Sequence, residues 1–282
     1  MTIVGDDRDT RHSPLENSWH GAEHVETTHQ HGHAERSHHT EDWHDEDIVN
    51  RWLERNKERA PQRRRQFVAL RAFIPKSAEQ EFRYLNLGAG PGNLDVVLLE
   101  HFPGANAVVL DTSLTMLNAA RKELATFGER VEYIQADLST PDWTGAVAGP
   151  FDFIISTRVI HHLRDPKRIR ELYGEVRGLT GHGGTFLNLD YVRPARAELA
   201  RLSEWITRDA EADFSGAPHN VADMPGTLQE HLGWLSEAGF GTVEVYWKQM
   251  DLALLSGING HLHMPWGHGD DPARGHSDGH SH

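Results

Sequence analysis

Tyr84-Leu85-Asn86-Leu87-Gly88-Ala89-Gly90-Pro91-Gly92-Asn93 is the stretch that decides how this chain is read. An apolar run ends in three glycines at alternate positions, and a helical pattern starts at once. Such a turn has no β-carbons to hold a ligand away, so the backbone can close directly against it. Nineteen residues past Gly92 a second apolar run, Ala107-Val108-Val109-Leu110, ends in Asp111. An acidic side chain there can accept hydrogen bonds from both hydroxyls of a ribose. Together the two features point to a nucleoside-containing cofactor.

The spacing narrows the choice. The dinucleotide-binding fingerprint wants a glycine where Asn93 stands. Gly88-x-Gly90-x-Gly92 instead resembles motif I of the class I S-adenosylmethionine-dependent methyltransferases. Further matches follow in the order of that family. Val131-Glu132-Tyr133-Ile134-Gln135-Ala136-Asp137-Leu138 is similar to its third strand and adenine-contacting pair. Phe151-Asp152-Phe153-Ile154-Ile155-Ser156, then Val159-Ile160-His161-His162-Leu163, resembles its fourth strand and substrate-side loop. Gly183-Gly184-Thr185-Phe186-Leu187 resembles the turn into its fifth strand. The resemblance covers 45–256 and lies closest to the small-molecule, ubiquinone-biosynthesis-like branch. It implies that Gly88, Gly90 and Gly92 face the methionine part of S-adenosylmethionine, Asp111 the ribose, and Asp137 with Leu138 the adenine. Ala89, Thr112 and Ser156 complete the implied cofactor set. One departure stands out: the family has Asp or Glu where this chain has Asn86, a position facing the cofactor's ammonium. A charged hydrogen bond exceeds a neutral one by about 1 kcal/mol, so a neutral Asn86 weakens cofactor affinity roughly tenfold unless another acid substitutes.

Composition limits the partners. The chain has 282 residues, room for one sizeable α/β domain with appendages. Its start, Met-Thr-Ile-Val-Gly-Asp-Asp-Arg-Asp, is neither basic nor followed by an apolar segment, and no run nears the ~20 apolar residues of a membrane span. A soluble, cytoplasmic protein with no membrane partner is expected. Cysteine is absent, which rules out disulfides, thiolate metal sites and covalent cysteine catalysis. A formal charge of −14 repels phosphate backbones and argues against nucleic acid as the substrate. Protonation of the 21 histidines reverses that sign near or below pH 6.5 or so.

Hydrophobic periodicity predicts alternating strands and helices of an α/β, doubly wound sheet; the family resemblance implies that this is a Rossmann-like seven-stranded sheet, mostly parallel with an antiparallel last strand, carrying an N-terminal helical lid. Strands are expected near 83–87, 106–111, 131–135, 151–156, 184–190, 242–248 and 250–256. Core helices are expected near 92–102, 113–126, 166–179 and 227–238. In the third of these, Asp165 can cap, Pro166 suits the first helical position, and Ile169, Leu172, Tyr173, Val176 and Leu179 share one face. Two helices precede the core: one begins at Asp45 and stops before Pro61, the other spans 62–74. The resulting division is a disordered acidic tail (1–44), the lid (45–80), and a methyltransferase domain (81–256) with a substrate-cap insertion near 193–225. A second tail (257–282) follows.

The implied reaction is in-line displacement of the sulfonium methyl by a nucleophile of a small acceptor. Candidate bases are His161 and His162, with His162 favoured because it occupies the family's His-Leu position. Either histidine instead packs the turn after the fourth strand, and many acceptors need no base. Arg158 can hold a substrate carboxylate, and one of Arg63, Arg64 and Arg65 can reach the cofactor's carboxylate, although an ordinary solvated surface is the more usual reading of all four. Trp52, Trp205, Trp234 and Trp247 read as core and lid packing. Ser156-Thr157-Arg158-Val159 lacks the Asn/Asp-Pro-Pro-aromatic pattern of enzymes that methylate amide or aminopurine nitrogens.

Histidine crowds both ends, with His29, His31 and His33 at one and His261 and His263 at the other as candidate ligands. Imidazole suits zinc, nickel, copper and cobalt, so loose binding of a divalent transition metal is one reading. A solubility tail without a metal and a defined site near the active centre are the others. Two functions therefore stand: methylation of a small molecule, linked to metal or not, or a metal-binding or sensing protein that keeps the fold with weak turnover.

Overall fold

The computed structural model describes residues 42–207 and 224–260. The expected strands alternate with helices into one seven-stranded sheet of order β3-β2-β1-β4-β5-β7-β6. The first five are β1 (Phe82–Leu87), β2 (Ala105–Asp111), β3 (Val131–Gln135), β4 (Phe151–Thr157) and β5 (Thr180–Tyr191). They pair in parallel. The last two are β6 (Thr242–Gln249) and β7 (Leu252–Ile258), and β7 runs antiparallel to both of its neighbours.

Parallel strands are buried on both faces and so read as continuous apolar runs. Alternate residues of β1 and β2 accordingly enter two cores. Tyr84, Ala107 and Val109 pack with Leu94, Val97 and Leu98 of α3 (Asn93–His101). Leu85, Leu87, Val108 and Leu110 pack with Ile169, Leu172, Tyr173 and Val176 of α5 (Pro166–Leu179). That helix forms as its sequence dictates, with the Asp165 side chain accepting from the Lys167 N–H and Pro166 at its start. Helices α4 (Leu114–Glu123), α6 (Ala197–Thr207) and α7 (Leu228–Glu237) complete the core set. None of the described helices is long and apolar enough to cross a membrane.

The strand order reverses direction between β1 and β4. In open α/β sheets a ligand binds in the crevice beyond the carboxyl ends of the strands at such a point. Two helices ahead of the sheet, α1 (Glu46–Lys57) and α2 (Ala60–Arg71), line the same crevice. Three details differ from expectation. Pro61 sits inside the first turn of α2 instead of separating the helices, because a proline there lacks only an N–H that has no helical partner anyway. β5 begins at Thr180, ahead of Gly183 and Gly184, with an irregular register against β4. The helix after Asp111 ends at Glu123 and passes into a 3-10 segment, Ala125–Arg130, bent where Gly128 takes φ +57°.

Candidate active site

The crevice is a cavity of about 530 Å³. One wall is the glycine turn. Gly88 has φ +65°, and a β-carbon there would meet Val159 Cγ2 at 2.4 Å, so both backbone and packing demand glycine. Gly90 has φ +56° with nothing within 4 Å of where its β-carbon would stand. That space opens on the cavity that Gly90 lines. Gly92 takes φ +82° as the N-cap of α3.

Asp111 ends β2 beside this turn. Its Oδ2 accepts from the Gly90 N–H at 2.8 Å and its Oδ1 from the Ser113 N–H at 2.9 Å. Burial raises the Asp111 pKa, while these backbone donors and that of Thr112 pull it down. A carboxylate oxygen has more than one lone pair, so Asp111 can fix the glycine turn and still accept from ligand hydroxyls. Further along, Asp137 and Leu138 line the cavity after β3. Both Asp137 oxygens take bonds from Ser139, one from its N–H and one from its hydroxyl, which sets the turn. Arg168 of α5 fixes this loop from beneath by donating to the carbonyls of Leu138 at 2.9 Å and Thr140 at 3.1 Å. The same guanidinium holds Glu175 through two contacts of 2.7 Å.

The residues after β4 and at the end of β5 also line the cavity. His161 Nδ1 lies 2.6 Å from Asp190 Oδ1, and the His161 backbone N–H donates to Asp190 Oδ2 at 3.0 Å. His161 and Asp190 are both almost fully buried, at 6% and 2% exposure. Burial alone would raise the Asp190 pKa, but the His161 charge, its hydrogen bond and two backbone donors outweigh this and hold it low. An ionised carboxylate only accepts, so His161 carries a proton on Nδ1 and its basic nitrogen is Nε2. Aromatic contacts extend from this dyad. The His161 ring lies 4.0 Å from that of His162 and 5.3 Å from Tyr191. His162 meets Trp43 edge-on at 5.2 Å, and Trp43 meets Trp52 at 5.8 Å.

Residues 85–186 match the family model described as a methyltransferase domain. That stretch is therefore similar to a methyltransferase domain, and the seven-stranded sheet around it has the Rossmann-like methyltransferase fold. It is 23% identical over 180 residues to a carboxy-S-adenosyl-L-methionine synthase of Nautilia profundicola, covering 61% of this chain and 74% of that one. It is 31% identical over 159 residues to a trans-aconitate 2-methyltransferase of Streptomyces avermitilis, covering 54% and 57%. Among solved structures, human N-acetylserotonin methyltransferase in complex with SAM superposes with a TM-score of 0.54 at 18% identity, covering 77% of this chain and 57% of that one. This likeness is one of fold. The chain thus spans little more than half the length of the last two proteins.

Within this methyltransferase fold, the expected residues separate into two groups. Gly88, Ala89, Gly90, Asp111, Thr112, Asp137, Leu138, His161 and His162 line the one cavity. Asn86, Gly92 and Ser156 stand behind its wall. Asn86 is buried and donates from Nδ2 to Asp95 Oδ2 at 2.8 Å, and Tyr84 donates its hydroxyl to Asp95 Oδ1 at 3.0 Å. An acid therefore does stand next to Asn86, supplied by the first turn of α3. Burial pushes the pKa of Asp95 up to about 7, against the opposing bonds from Asn86 and Tyr84. The histidines named as metal ligands, His29, His31, His33, His261 and His263, lie outside the described residues. Among the described residues no three His, Cys, Asp or Glu side chains group to hold a metal ion.

Sequence reasoning missed Asp190, Tyr191, Trp43, Arg55 and Arg59, all but the first of which line the cavity. Asp190 had one usable signal: an acid ending a strand in a parallel sheet faces the ligand crevice. Arg55, within α1, and Arg59, the N-cap of α2, carry no signal in the sequence.

Proposed function

We propose that the protein transfers the methyl group of S-adenosylmethionine to a small-molecule acceptor. The observation that carries this reading is the set of residues gathered on one cavity. The glycine turn, Asp111, the Asp137–Leu138 loop and His161 all line it, with Asp190 holding His161 from behind. Asp111 accepts the ribose hydroxyls, the 137–138 loop borders the adenine, and the bare glycine backbone admits the methionine part. The cofactor's sulfonium supplies the methyl. Bound there, it would pass that methyl to the acceptor's lone pair, with the neutral thioether as leaving group.

His161 accepts the acceptor's proton at Nε2 when the nucleophile carries one, and Asp190 holds the ring and stabilises the imidazolium. Asp190 is thus a positioning residue. His162 borders the same space but packs edge-on against Trp43, which suits it to shaping the acceptor site. Trp43 just ahead of α1, Trp52 of α1 and Phe67 of α2 line the cavity and limit access of water to the reacting atoms. The test is direct. Full-length protein is incubated with methyl-labelled S-adenosylmethionine and a small-molecule extract, and products are followed by mass spectrometry. Label in a low-mass compound, lost in His161→Gln, supports the reading. Cofactor consumption indistinguishable from a boiled control contradicts it.

A further inference from the structure

Five arginines line the cavity: Arg168 holds Glu175, and the other four are Arg55, Arg59, Arg63 and Arg158. Among the described residues none of these four is paired with a carboxylate. Arg63 lies over the Trp52 ring at 5.2 Å, and Arg158 donates to the amide oxygen of Gln66. The acids that also line the cavity are engaged elsewhere: Asp111 with Gly90 and Ser113, Asp137 with Ser139, and Asp165 with the Lys167 N–H. The chain as a whole carries a formal charge of −14, so a cationic pocket is not its general character.

Position separates two of the four from the cofactor half. Arg158 follows β4, and its backbone is held at φ +58° by a 2.8 Å bond from its N–H to the Leu189 carbonyl. A non-glycine residue at positive φ is strained, and strain of this kind persists where the surroundings fix a side chain in place. Arg63 interacts electrostatically with Arg158 and with Tyr191, whose ring lies beside His161. Arg63 and Arg158 are therefore neighbours, and Arg63 lies near Tyr191 and so near the dyad. Burial first, then repulsion from Arg158 and Arg59, brings the Arg63 pKa down to about 10, as uncompensated positive charge does.

Bound S-adenosylmethionine does not relieve this. It carries one carboxylate against an ammonium and a sulfonium, so it adds net positive charge and satisfies at most one guanidinium fully. We infer that the acceptor is a small polycarboxylate, held through Arg63 and Arg158 with its reacting group beside His161. This rests on the methyltransferase reading above. Guanidinium binds carboxylate bidentately, which fixes orientation as well as charge. A carboxylate gripped in this way is a poor nucleophile, so the group that attacks the methyl is a different one. If that group is another carboxylate oxygen, the product is a methyl ester and no proton is released. If it is a hydroxyl, its proton passes to His161 Nε2.

The test uses full-length protein and calorimetry in two stages. S-adenosylhomocysteine is titrated first. The loaded protein is then titrated with trans-aconitate, citrate and succinate, and with trimethyl trans-aconitate as the uncharged match. Expected is binding of at least one polycarboxylate, at least tenfold tighter than the ester. Arg63→Gln and Arg158→Gln should each weaken it about tenfold or more while S-adenosylhomocysteine affinity stays within about threefold, which also shows that the variants fold. Ester binding as tight as the acids, or no polycarboxylate binding to the loaded protein, overturns the inference and leaves the methyltransferase reading standing. A parallel loss of S-adenosylhomocysteine affinity in both variants assigns these arginines to the cofactor and overturns it too. Failure of S-adenosylhomocysteine to bind the unaltered protein removes the reading beneath it, and the inference falls with it.

Discussion

Asp95→Asn is expected to make the protein's stability less sensitive to pH, by an amount the structure fixes. Asp95 has no solvent exposure and receives hydrogen bonds from Tyr84 and Asn86 beneath the glycine turn. Its pKa is raised from 3.8 to about 7, chiefly by burial. The folded state therefore binds more protons than the unfolded state between those values, and stability falls as pH rises through the window. Between about pH 5 and pH 8, a shift from 3.8 to about 7 corresponds to roughly 3 kcal/mol of lost stability. Full burial means that solvent screening does not shrink this figure. Asparagine is neutral at every pH and fits the site. Its amide can accept from Tyr84 and donate to Asn86 Oδ1, which lacks a partner among the described residues. The assay is urea unfolding of both proteins at the two pH values. With m near 2–3 kcal/mol/M, the wild-type midpoint should fall by about 1–1.5 M relative to the variant on going from the lower pH to the higher. Comparing the two cancels every other titrating group. Midpoints that move in parallel would show that Asp95 is ionised throughout and that the account of this network is wrong.

Other expectations concern separate parts of the molecule. With an acceptor whose nucleophile carries a proton, His161→Gln should lower kcat by about 10²–10⁴-fold with little change in S-adenosylhomocysteine affinity, and Asp190→Asn should lower kcat and alter the pH–rate profile; unchanged rates in both would remove the dyad from the mechanism. Gly90→Ala should destabilise the fold by only about 1 kcal/mol, the strain of its positive φ, yet weaken the cofactor much more, because the new methyl enters the space beside the turn. Equal losses in thermal melting and ligand titration would contradict that split. The His231 pKa is lowered from 6.5 to about 4 by burial, so its contribution is complete above pH 6.5 and is lost as pH falls toward 4. In the Asp95→Asn background, which removes the opposing trend, acidification across that window should cost about 3 kcal/mol, and His231→Gln should flatten the curve.

The sheet was legible because each of its central strands is buried on both faces and reads as an apolar run. The glycine turn was legible because backbone requirements admit few other residues. Capping chemistry fixed α5 from Asp165 and Pro166 alone. What escaped notice depends on contacts distant in the chain. Asn86 read as a missing charge, yet the acid beside it is Asp95, nine residues on and one helical turn into α3. Asp190 looks like any strand-end acid until β5 pairs with β4 and brings it under His161, 29 residues away. Arg55 and Arg59 carry no signal of their own, and only the placement of α1 and α2 beside the crevice brings them to the cavity. Pro61 reads as a boundary because a proline ends one helix and opens another with the same signature.

The central claim is that the glycine turn and Asp111 together hold an adenosyl sulfonium. Titration of full-length protein with S-adenosylhomocysteine, alongside Asp111→Ala and with NAD as a control ligand, tests it most directly. The account predicts one-to-one binding in the micromolar range, weakened at least tenfold by the substitution, and none of NAD. No heat at ~1 mM S-adenosylhomocysteine, or NAD bound in its place, would contradict it.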